Sequence, residues 1–236
     1  MNHNDIECIF HTRPGAQRKP EGKACCEDRI FVLSDAQHST AVLCDGCGSA
    51  SHGLEAAAIT SLLVCQLLHQ NFVRYFALNP SALRTEVLKA VESALLSYAD
   101  QNGLSAQSLA CTIVAASLDI KGRMVSLHLG DGGILSRSVS RLQWSRVSLP
   151  ETGMLKSQTF HTMNAAPEHL RLYRCTDICA MLLYSDGIAG IPRFDFSTAL
   201  ELDDLSEADD VCLQRFMTVH QNGDDQSMAL LRLQQT

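Results

Sequence analysis

The sequence predicts an α+β fold in one domain spanning residues 1–236. Three observations carry this reading. Apolar residues alternate with polar ones near the start of the chain and again over most of 109–233, the period of strands. Between these regions, 54–78 and 83–102 carry apolar residues at helical spacing. No internal repeat, low-complexity tract or linker divides the chain.

Taken in order, Ile6, Cys8 and Phe10 alternate with polar residues and predict a short first strand, followed by a loop rich in Pro, Gly and Lys over 13–23. Glu27 and Asp28 immediately precede a strand centred on 30–33; residues 34–39 form a polar turn, and 40–44 the strand that delivers Asp45. The stretch VLCDGCGSASHGLEAAA then runs from an apolar strand end through a Gly-containing turn into a helix. Helical spacing continues over 54–78; Pro80 ends that helix, and Ser81 is placed to cap the next. Leu83, Val87, Val91, Leu95 and Tyr98 form the core stripe of the second helix, which closes around Asn102 and Gly103. LACTIVAASL, MVSLHLG, ILSRSV and LQWSRVSL read as strands separated by turns at 119–123 and 131–133. Residues 151–169 are irregular. LRLYRC and ICAMLLYSDG are further strands, a helix occupies part of 196–220, and SMALLRL is the last strand, entered through Gly223, Asp224 and Asp225.

Composition narrows the function classes. With 46% hydrophobic and 19% charged residues, the chain suits one compact soluble core. No apolar run reaches the roughly 18 residues needed to span a bilayer, and the N-terminus has no basic-then-apolar signal, so a cytoplasmic protein without a membrane partner is expected. A net charge of -7 argues against binding nucleic acid. The ten cysteines fall mostly in apolar runs and read as buried hydrophobes in a reducing compartment.

The chemistry gathers in five acidic turns that follow or precede apolar strands: Glu27-Asp28, Asp45-Gly46, Gly130-Asp131, Asp186-Gly187 and Gly223-Asp224-Asp225. Strands of one sheet can bring such ends together, and clustered carboxylates repel one another without cations. Oxygen ligands with few His or Cys nearby select Mg²⁺ or Mn²⁺ over zinc. The turn at Asp45 has competing readings. Gly46 and Gly48 begin a dinucleotide-like G-x-G, but Ser51 stands where the third Gly belongs and no acidic residue is suitably placed downstream. Cys44 and Cys47 form a C-x-x-C, a redox or zinc motif whose thiol ionisation Asp45 opposes.

The five turns, in this order, resemble the motifs of the metal-dependent serine/threonine protein phosphatases of type 2C, a bacterial-like single-domain member among them. Glu27-Asp28 matches the acidic pair before the second strand, Asp45-Gly46-Cys47-Gly48-Ser49 the D-G-x-G-G turn, and Gly130-Asp131-Gly132 the G-D-S/G turn. Ser185-Asp186-Gly187 matches S-D-G, and Asp224-Asp225-Gln226-Ser227 the final D-[DN]-x-[ST]. The resemblance implies a four-layer α-β-β-α sandwich of two antiparallel sheets flanked by helices. It also implies two Mn²⁺ or Mg²⁺ ions per chain that activate a water to hydrolyse phosphoserine or phosphothreonine. Asp45 would bridge the ions and the Gly46 carbonyl would serve one of them. Asp186 and Asp224 would hold the other, and Glu27 and Asp28 would complete the site directly or through water. Asp131 matches the ligand of a weaker third ion. Lys23 stands where many members have a phosphate-clamping Arg, and Cys47, Ser49 and Gly190 also depart from the common pattern. The expected partner is a phosphorylated protein and the expected state a monomer. The alternative is a catalytically weak or inactive module that binds phosphoproteins.

Overall fold

The computed structural model describes residues 5–15, 26–141, 144–148, 150, 160–189 and 210–234. Ten strands form two five-stranded sheets. The strands are β1 (Ile6–Arg13), β2 (Arg29–Ser34), β3 (His38–Cys44), β4 (Ile113–Asp119), β5 (Met124–Leu129), β6 (Gly133–Ser138), β7 (Trp144–Ser148), β8 (Arg171–Cys175), β9 (Ile178–Tyr184) and β10 (Gln226–Leu233). One sheet has the order β1-β10-β9-β6-β7 and the other β2-β3-β4-β5-β8, with every pairing antiparallel. Strands β4, β5 and β9 are buried along their whole length, because each is covered on both faces. Their sequences are accordingly apolar runs with little polar interruption.

Three apolar layers separate four structural ones. Val114, Ala116, Met181, Leu183, Ala229 and Leu231 fill the space between the sheets. Val64, Leu68, Leu83, Val91, Ala115 and Leu127 join the β2-β3-β4-β5-β8 sheet to helices α1 (Gly53–Gln70) and α3 (Pro80–Asn102). Leu135, Leu182, Leu213, Phe216 and Leu230 join the other sheet to α5 (Asp210–Val219), with the one-turn helix α4 (Asp186–Ala189) packing beside it. This is the α+β sandwich that the motif resemblance implies.

Several local expectations are corrected. The helix expected over 54–78 is two helices, α1 and α2 (Phe72–Ala77). They are divided at Asn71, whose side-chain amide donates to the Leu67 carbonyl and competes with the helix ladder. Pro80 does not end a helix but starts α3, and the cap is Asn79 rather than Ser81: Asn79 Oδ1 accepts from the Ser81 backbone N–H at 2.9 Å. In β1 the buried residue is Ile9, whereas Phe10 is exposed, since β1 is an edge strand. Cys44, Cys65, Cys111 and Cys179 are buried as expected, but Cys175 is exposed.

Candidate metal centre

Strand polarity carries the acidic turns to one end of the sandwich. Asp28 precedes β2 and Asp45 follows β3; because Arg29 pairs with Cys44, the two carboxylates leave neighbouring strands side by side. On the facing sheet Asp186 follows β9, while Asp224 and Asp225 precede β10, and Tyr184 pairs with Met228. Asp131 lies in the crossover from β5 to β6.

The backbone around Asp45 is held from two sides. Its N–H donates to Thr112 Oγ1 at 3.0 Å, and its carbonyl accepts from the Thr112 N–H at 2.9 Å. The next N–H, of Gly46, donates to the Glu27 carbonyl at 3.3 Å, and that of Cys47 to the Ala110 carbonyl at 3.0 Å. A glycine is required at 46 because a Cβ there would lie 2.5 Å from the Gly53 carbonyl carbon, at the start of α1. The turn thus presses directly against the helix that follows it.

Electrostatically the site is a set of mutually repelling carboxylates. Burial, followed by the charges of Asp28 and Asp186, pushes the Asp45 carboxyl well above the usual carboxylate range. Burial and then the charges of Asp131 and Asp224 raise Asp186 to about 7. Asp28 is raised to about 6, by burial first. Ser227, Asp45 and Ser185 pull Asp28 part of the way back as nearby polar groups, yet none reaches either of its oxygens with hydrogen-bond geometry. Asp28 Oδ1 and Oδ2 and Asp186 Oδ1 are therefore buried acceptors with no hydrogen-bond partner. Buried carboxylate oxygens in that state fit a cation, which supplies the missing partner for all three. Among the described residues these carboxylates do not close into a trio with all ligating atoms within 4.8 Å of one another. Electrostatically Asp45 interacts with both Asp28 and Asp186, which also act on one another.

The remaining sequence candidates take different places. Glu27 is buried beside the cluster, Gly46 is buried in the turn, Asp131 is half-buried, and Asp224 is exposed but near enough for its charge to act on Asp186. Lys23 and Gly190 lie outside the described residues. Sequence reasoning missed the supporting role of Asp225. Its carboxylate is buried and accepts the Gly15 N–H at 2.8 Å and the Glu27 N–H at 2.7 Å, so it fixes the acidic pair from below. Its signal was present in the doubled Asp224-Asp225, whereas nothing in the sequence marks Thr112. Cys44 and Cys47 are free thiols; burial first, then Cys111 and Asp45, pushes the Cys47 thiol up to about 12. A thiol raised in this way is a poor redox nucleophile, because the thiolate is the attacking form.

A family model described as protein phosphatase 2C matches residues 17–233. Among solved structures, the serine/threonine phosphatase of S. agalactiae superposes with a TM-score of 0.71 at 14% identity, covering 97% of this chain and 100% of that one. A bacterial serine phosphatase superposes with a TM-score of 0.67 at 17% identity, covering 98% and 99%. RsbX in complex with magnesium superposes with a TM-score of 0.59 at 16% identity, covering 99% and 98%. No curated protein sequence matches the chain.

Proposed function

Because the chain belongs to the protein phosphatase 2C family, whose members are protein-serine/threonine phosphatases acting on phosphoproteins, we propose that its acidic end is the catalytic centre. The observation that carries this is the group of carboxylates from both sheets, with three buried oxygens lacking a hydrogen-bond partner.

The family is metal-dependent, and the RsbX structure contains magnesium. In this chain we assign two Mg²⁺ or Mn²⁺ ions to the cluster. Asp45, the Gly46 carbonyl, Asp186 and Asp224 would hold them, with Asp45 shared between the two; Glu27 and Asp28 would complete the set directly or through water, and Asp131 would belong to a weaker third position. When bound, such ions supply a water acidic enough to ionise near neutral pH and positive charge facing the phosphoryl oxygens. The chain's own part is positioning. Thr112 fixes the Asp45 backbone, and Asp225 fixes that of Glu27. Lys23 offers a point charge to the phosphate, lacking the two-pronged grip of an Arg. The domain is proposed to act as one unit over 1–236, as a cytoplasmic monomer whose net charge of -7 disfavours nucleic acid. Among the described residues no helix is long and apolar enough to cross a membrane. The inactive phosphoprotein-binding reading is not favoured, since clustered carboxylates kept without cations only repel.

With Mn²⁺, the purified chain is expected to hydrolyse p-nitrophenyl phosphate and a phosphothreonine peptide. EDTA should abolish turnover, and Asp45→Ala or Asp186→Ala should lower it by about 10²-fold or more. Full activity in both variants would overturn the site assignment.

A further inference from the structure

At the opposite end of the same sheet, Asp35 and His38 of the β2–β3 hairpin meet His69 in the last turn of α1. We propose that these three side chains form a second metal site, distinct from the acidic centre and selective for a borderline-soft divalent ion of the zinc or cobalt class.

Among the described residues, this trio alone combines His, Cys, Asp or Glu atoms that all lie within 4.8 Å of one another. Asp35 Oδ1 lies 3.3 Å from His38 Nδ1, and Asp35 Oδ2 lies 3.3 Å from His69 Nε2. Ligands about 2.0–2.1 Å from a tetrahedral ion are separated by roughly 3.3–3.4 Å, which each oxygen–nitrogen spacing matches, one from each carboxylate oxygen, while one ligand atom from each of the three residues lies within 4.8 Å of the others.

The hydrogen bonds on the far side of each ring decide which nitrogens are free to ligate. His38 Nε2 lies 2.8 Å from the His69 backbone carbonyl, which can only accept, so Nε2 carries the proton and Nδ1 turns a lone pair toward Asp35. For His69 the order is set by a relay. Ser117 Oγ donates to the Ser39 carbonyl at 3.4 Å, Thr40 Oγ1 lies 2.8 Å from Ser117 Oγ and donates to it, and His69 Nδ1 at 3.3 Å donates to Thr40. That leaves His69 Nε2 as the second lone pair facing Asp35. Two imidazole lone pairs and a carboxylate facing one another repel unless a proton or a metal cation joins them. A ring N–H tied to a carbonyl or hydroxyl behind it is also the usual support for a metal-bound histidine.

The setting suits an ion that enters from solvent. Both His side chains are mostly buried, at 14% and 15% exposure, while Asp35 is 47% exposed and leaves one side open for water. The rings stack on each other with centroids 4.2 Å apart, and Phe72 covers His38 at 5.2 Å, which holds both in register. Arg123, whose guanidinium lies over the Phe72 ring, is paired with Asp119 at 2.6 Å. Bound there, the ion ties the hairpin to the end of α1. Both β3 and α1 run from this point to the acidic centre, seven residues away along β3, or about 23 Å.

The test is a titration of Co²⁺ into the full chain in excess Mg²⁺, which occupies the oxygen-rich centre. One equivalent of Co²⁺ is expected to give the intense visible absorption of a four-coordinate nitrogen-containing site. Zn²⁺ should displace it stoichiometrically and raise Tm in the same molar ratio. His69→Gln and the exposed Asp35→Asn should each abolish the absorption and the Zn²⁺-dependent shift, while circular dichroism and phosphatase turnover with Mg²⁺ stay at parental values. Absence of the band in the parent, or its persistence in both variants, would overturn the proposal and leave the trio as an ion pair around a protonated histidine. Because turnover is read separately, failure of this site leaves the catalytic reading intact.

Discussion

At the scale of single residues, the acidic end is governed by three carboxyls, Asp28, Asp45 and Asp186, that desolvation and mutual repulsion push above the usual range. Asp28 is raised to about 6 and Asp186 to about 7 from a usual 3.8, with Asp45 higher still in direction. A raised carboxylate binds its proton more tightly in the folded chain, so stability without cations is fullest below about pH 4 and falls as pH rises through about 7. Thermal melts in EDTA should therefore show Tm declining over that window, and saturating Mg²⁺ should reverse the slope because it binds the ionised folded form. A Tm that rises with pH in EDTA would contradict the mutual repulsion of these carboxylates. Asp225 works differently, as an acceptor for two backbone N–H groups. Removing it in Asp225→Ala leaves the buried Glu27 N–H and the part-buried Gly15 N–H without this acceptor and is expected to cost roughly 2–4 kcal/mol of stability. The same change should weaken Mn²⁺ activation, read from denaturant melts and from metal-dependence curves. The acidic turns were legible because Asp beside Gly recurs at four strand ends, at Asp45, Asp131, Asp186 and Asp224, with the acidic pair Glu27-Asp28 before a fifth strand. The division of labour between Asp224 and Asp225 was not, because it depends on which carboxylate meets Gly15, some 210 residues away in sequence.

At the scale of elements, the β3–α1 connection decides the geometry. Asp45 is presented by a strand locked to Thr112, and α1 begins so close behind it that Gly46 has no room for a side chain. Gly46→Ala should force the turn off the helix, costing about 1–3 kcal/mol. A displacement on the order of 1 Å at Asp45 is enough to lower turnover by about 10²-fold. Parental kcat in a stably folded Gly46→Ala would show that this close approach does not position the acid. Strand existence was readable from period and the α1 and α3 stripes from helical spacing. The break at Asn71 and the cap at Asn79 were not, since both turn on a side chain competing with, or completing, the local backbone bonds.

At the scale of the whole molecule, two antiparallel sheets face each other so that every acidic turn falls at one end, while the β2–β3 hairpin and the end of α1 close the other. The order of elements and motifs along the chain made this sandwich foreseeable. The pairing of Asp35 with two histidines was invisible, because nothing in the sequence says that residue 69 returns to residue 35. The central claim is that cations draw Asp28, Asp45 and Asp186 together, and anomalous scattering from crystals grown with Mn²⁺ tests it most directly. Two anomalous peaks per chain flanking Asp45 are expected, with Asp186 on one of them. Density free of metal at saturating Mn²⁺, or ions seated away from Asp45, would contradict the account.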